Sequence, residues 1–99
     1  MNELDQKELK AQWRAWCAEQ GGDVRACWLS ARGAGYCVHI LADTADAFDA
    51  VRDGAHDFQQ RLRIADTNLE LHVTVWPIDD EPAVAGKLTA EPLYRTRSA

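Results

Sequence analysis

The sequence predicts an α+β fold. Its order is α-β-β-α-β: a three-stranded antiparallel sheet with two helices on one face and a C-terminal tail. Three observations predict this. Residues 24–30 and 36–42 are rich in Val, Ile, Tyr, Trp and Cys and flank the turn sequence "ARGAG". Phe48, Val51, Ala55, Phe58 and Leu62 recur at the spacing of one helical face. Leu69, Leu71, Val73 and Val75 alternate with Glu70, His72, Thr74 and Trp76, the period of a half-buried strand.

The first helix is expected over residues 3–19. Leu9, Trp13, Trp16 and Cys17 form its apolar stripe, and Gly21-Gly22 end it by taking left-handed backbone. Two tryptophans on that stripe read as core. The hairpin follows, with Gly33 and Gly35 able to take the positive φ of a tight turn. A two- or four-residue loop pairs Leu29 with Val38, Cys27 with Ile40 and Trp28 with His39. The second helix is expected over about residues 45–64, capped by Asp43-Thr44. Gly54 inside it costs roughly 1 kcal/mol of helix propensity, which suggests a close crossing with another element. The third strand spans Asn68 to Trp76 and stops at Pro77. Residues 77–99 lack a sustained period and read as an extended tail, with Leu93 and Tyr94 as the residues able to dock it. Residues 1–76 are thus expected to be a single domain.

A crossover through the second helix would make strands two and three parallel. With the first strand in a gap between them, the order is 2-1-3 and every neighbouring pair is antiparallel, half of a ferredoxin-like split βαβ unit. Both helices need an apolar partner, so both belong on one face, over Cys27, Leu29, Val38, Ile40 and the aliphatic residues of strand three. Phe58 and Val73 are expected to be almost fully buried there.

The opposite face carries Trp28, Cys37, His39, Leu41, His72, Thr74 and Trp76. No obvious element covers it. Exposed apolar patches mark interaction surfaces and tryptophan is enriched among binding hot spots, so these seven residues are the candidate partner-binding set, with Trp28 at its centre. The competing expectation is that the tail folds over this face.

Composition narrows the function. Ninety-nine residues with 46% apolar and 27% charged residues suit one globular domain. The net charge is −5, and residues 43–66 hold six aspartates against three arginines. Direct nucleic-acid binding is therefore not expected, since phosphate neutralisation needs a basic face; nor is binding to a membrane. The polar start, "MNELDQKELK", does not read as a secretory signal, and Cys17, Cys27 and Cys37 are odd in number without a C-x-x-C spacing. Free thiols and a cytoplasmic location are expected. Eight Arg against three Lys, with sixteen Ala, suggest a bacterial or phage origin.

No catalytic residue, metal ligand or cofactor is assigned. With strands two and three at opposite edges, His39 and His72 would be about 9–10 Å apart, too far for one ion. Cys37 and His39 lie on one face but have no orienting third residue, and His39 is expected to stack on Trp28. Asp53, His56 and Asp57 share a helical face and read as a solvated surface. The expectation is a non-enzymatic protein-binding or regulatory module, a homodimer acting through the open face, in one form a small phage- or plasmid-encoded inhibitor of a host protein. The alternative is a small enzyme or ligand binder with a pocket between tail and sheet, using His39, His72 or Cys37.

Overall fold

In a computed structural model, which describes residues 6–33, 35–65, 69–87 and 92–95, the chain is α+β with three helices and a four-stranded mixed sheet. The elements are α1 (Gln6–Glu19), β1 (Val24–Arg32), β2 (Gly35–Ala42), α2 (Phe48–Ala65), β3 (Leu71–Trp76), α3 (Glu81–Lys87) and β4 (Tyr94–Arg95). A 3-10 turn, Ile78–Asp80, leads into α3. The starts of the first helix, expected at residue 3, and of the third strand, expected at Asn68, lie outside the described residues, as do residues 88–91 and 96–99 of the expected tail.

The local expectations largely hold. Leu9, Trp13, Trp16 and Cys17 are the buried residues of α1, and Gly21 and Gly22 end it at φ of 64° and 95°. Thr44 Oγ1 accepts the Ala47 N–H at 3.1 Å and a tight turn leads into α2. Gly54 of α2 faces Trp16: a Cβ built there would lie 3.4 Å from the Trp16 ring. The hairpin has the expected register, Leu29 with Val38, Cys27 with Ile40, Trp28 with His39. Gly33 takes the positive φ, 59°.

The sheet order differs from expectation. It is β3-β2-β1-β4, with β2 and β3 adjacent and parallel. The expected 2-1-3 antiparallel sheet is therefore corrected: the crossover through α2 joins immediate neighbours, and β2 rather than β1 lies against β3. The N–H of Tyr36 donates to the Glu70 carbonyl at 2.9 Å at the start of this pairing. The chain after Pro77, expected to be an extended tail, carries the 3-10 turn, α3 and β4. β4 pairs antiparallel with β1, opposing Tyr94 to Cys27 and Arg95 to Ala26. Leu93 N–H donates to the Cys27 carbonyl at 2.6 Å, and Arg14 of α1 donates to the Leu93 carbonyl at 3.3 Å.

Two apolar clusters lie on the two faces of the sheet. The larger joins α1 and α2 to Cys27, Leu29, Val38, Ile40 and Leu71, with Leu93 and Tyr94 packed at its side. Trp13, Trp16 and Phe58 meet within it as two edge-on contacts and one stack. Phe58 and Val73 are half-buried rather than almost fully buried. For Val73 the reason is position: β3 is an edge strand, so only one of its sides is closed by a neighbour. The smaller cluster, on the other face, comprises Ala26, Trp28, Leu41 and Val84, with Trp76 and Ile78 against it. A bulge between Val24 and Ala26 explains how Val24 joins the large cluster and Ala26 the small one.

Candidate functional site

The seven residues expected on the open face divide into two groups. Trp28 and Leu41 are 5% and 1% exposed, closed over by Val84 of α3. The cover is made by residues 78–84, not by Leu93 and Tyr94, which dock on the helical side. Arg25 ties this cover down: its Nε lies 3.6 Å from Asp43 at the end of the hairpin and 3.6 Å from Glu81 at the start of α3.

Cys37, His39, His72 and Thr74 form the second group. With Glu70 they line an open concavity of about 520 Å³ on the floor of β2 and β3. The parallel register sets Cys37 opposite His72, His39 opposite Thr74, and Leu41 opposite Trp76. His39 and His72 are thus on adjacent strands, correcting the separation expected from the 2-1-3 order. Trp76 is half-buried and belongs to both groups. Its ring stacks on His39 with centroids 6.2 Å apart, and its Nε1–H donates to His39 Nδ1 at 3.2 Å. His39 Nδ1 is therefore an acceptor and the imidazole proton sits on Nε2. The stack expected between His39 and Trp28 is made with Trp76 instead.

The remaining candidates stay apart from this floor. Asp53, His56 and Asp57 are exposed on α2, where Arg52 pairs with Asp53 and Arg61 with Asp57. Among the described residues no group of three or more His, Cys, Asp or Glu side chains is arranged to hold a metal ion. Among them, too, no helix is long and apolar enough to cross a membrane. All three cysteines are free and buried. The Cys27 thiol is held well above the ordinary thiol value, first by a hydrogen bond with the Cys17 side chain and then by burial. Protonated and enclosed, it is a packing group rather than a nucleophile.

Sequence reasoning missed Glu70, which walls the concavity, and Val84 and Ile78, which cover Trp28. A signal for α3 was present: Glu81-Pro82 places an acid and a proline in a helix's first turn, where neither costs a hydrogen bond. No protein-family model, curated protein or solved structure matches the chain.

Proposed function

We propose that this chain is a non-enzymatic protein-binding module acting through the β2–β3 half of its open sheet face. The observation that carries this reading is the division of that face. The contact with α3 takes up Trp28 and Leu41, while His72 and Thr74 stay exposed beside a half-buried His39–Trp76 pair. A stacked aromatic pair with exposed polar neighbours on a rigid sheet suits a binding surface. The acidic charge and the absence of a recognisable catalytic arrangement in the sequence favour a regulatory role, including inhibition of another protein.

Affinity capture tests the reading. Immobilised chain should retain a defined protein from a cell extract, and His72→Glu should lose it while melting at an unchanged temperature. Asp53→Arg, on the outer side of α2, should retain it. Equal retention by His72→Glu and the parent chain would refute the assignment to this face.

A second reading has its own observation. Cys37, His39 and His72, singled out for a ligand or enzyme site, share one concavity, although on the sheet floor rather than between tail and sheet. A small ligand there would raise the melting temperature, and Cys37→Ala with His72→Ala would abolish the rise.

A further inference from the structure

We propose that the partner of the β2–β3 region is a second copy of this chain, joined along β3, antiparallel, with Thr74 on the two-fold axis. The inference rests on the reading of this region as a protein-binding surface and specifies how it is used.

The argument starts from the backbone of β3. Because the Tyr36 N–H donates to the Glu70 carbonyl and Tyr36 is opposite Leu71, the backbone groups of Glu70, His72, Thr74 and Trp76 face β2. Those of Leu71, Val73 and Val75 face away from the sheet. The Leu71 carbonyl is already taken by Gln59 of α2, whose Nε2 donates to it at 2.6 Å. Beyond Val75, Pro77 has no N–H and its carbonyl accepts from Asp80 at 3.0 Å. Among the described residues the outward edge is therefore fully open at Val73 and Val75, while Leu71 offers only its N–H and Pro77 has no donor and a carbonyl already in use.

Natural proteins blunt such edges with Pro, Lys, bulges or a covering element. The strand sequence here, LHVTVW, contains no proline or lysine, and its register with β2 runs without a bulge. Val73 and Val75, in the aliphatic row that packs under the helices, are only half-buried. A strand added at this edge would extend the sheet and cover them.

The pattern of open and closed groups selects the occupant and its register. An antiparallel copy centred on Thr74 sets Val73 against the partner's Val75, and Val75 against the partner's Val73. Each pair exchanges both backbone hydrogen bonds. Leu71, with its carbonyl taken, and Pro77, with no N–H, then fall opposite each other at the ends of the pairing, so that both fully open residues pair fully. Centring on Val73 would set Val75 against the spent carbonyl of the partner's Leu71. Centring on Val75 would set Val73 against the partner's Pro77, which donates nothing. On the open face the chosen register brings Thr74 against the partner's Thr74 and His72 against the partner's Trp76, as non-hydrogen-bonded pairs with side chains in close approach. The two concavities become neighbours across the axis.

Site-directed crosslinking with sedimentation of the purified full chain tests this. Thr74→Cys should form an intermolecular disulfide with oxidised glutathione, two thiols being oxidised as one glutathione disulfide is reduced to two thiols. His72→Cys should not, since residue 72 and its copy would lie four residues apart along the strand, about 13 Å. Val73→Pro removes a donor that points away from β2 and trims a half-buried side chain, so it should stay folded with a modestly lowered melting temperature and dimerise at least tenfold more weakly. The proposal is overturned by a parent chain that is monomeric at all concentrations, by crosslinking through His72→Cys but not Thr74→Cys, or by a folded Val73→Pro chain that dimerises like the parent. A monomeric parent that still captures a different protein through His72 would refute the dimer alone; loss of that capture specificity would refute the surface.

Discussion

Gly35 is fixed by what lies beside it. A Cβ there would come within 2.6 Å of both the Cβ and the carbonyl oxygen of Glu70. Its role is close approach of β2 to the chain entering β3, not the positive φ that its place in the hairpin suggests. Gly35→Ala should therefore separate the start of the parallel pair and cost about 1–3 kcal/mol, the range for overpacking a closed site. Urea denaturation would measure it, and a loss below about 0.5 kcal/mol would contradict the contact. Cys27 gives a second expectation at this scale. Its folded pKa is raised, first by the hydrogen bond with Cys17 and then by burial, so the stabilisation of the neutral thiol contributes fully below the unfolded value near 9.0. That contribution is lost as pH rises from there through the higher folded value, because the unfolded chain releases the proton first. Stability should fall in alkali, and Cys27→Ala should flatten that fall. At neutral pH, alkylation of the native chain should spare Cys27 until denaturant is added.

At the scale of the element, α3 holds the small cluster through Val84, the one buried apolar side chain among those described in it. Val84→Ala removes roughly two methyl groups from full burial, about 1.6 kcal/mol at about 0.8 kcal/mol per group. The variant should also open Trp28 to a fluorescence quencher, which Glu81→Ala should do only weakly. The Arg25–Glu81 pair is about a third exposed on the arginine side, and such pairs contribute at most about 1 kcal/mol. The weakness of this anchor in sequence terms explains why α3 was not legible. Seven residues with one buried valine have no period to detect, whereas the five-residue stripe of α2 declares itself. The hairpin register was legible because a slip by one residue would expose Val38 and Ile40. Strand order was not, because a crossover helix can join adjacent strands or span a gap with equal local sequence. The composition of β2 carried a partial clue. Tyr36 to Ala42 is nearly continuous in apolar residues, as suits a strand with cover on both faces, while β3 alternates as suits a strand with one covered face. For the candidate site, the facing of all seven residues followed from the alternation. The cover over Trp28 and Leu41 did not, since it comes from a segment far along the chain, Ile78 to Val84.

For the molecule as a whole, residues 78–87 and 92–95 hold β1 from two directions. Val84 closes its open face, and Leu93 to Arg95 close its edge and brace α1. A chain ending at Trp76 would leave Trp28 and Leu41 uncovered and the outer edge of β1 unpaired. It should bind a hydrophobic dye and melt well below the full chain; equal melting would show that residues 1–76 fold independently. The same arrangement bears on the order of events during synthesis. The ribosome finishes β1 and β2 long before it makes Val84, so the nascent hairpin carries a bare tryptophan and leucine while some forty further residues are added. During that interval the face later sealed by α3 is a target for a chaperone. Chains arrested with Trp76 clear of the exit tunnel and Val84 still inside it should crosslink to such a helper through a photoreactive group at Leu41, and chains arrested with Arg95 clear of the exit tunnel should not.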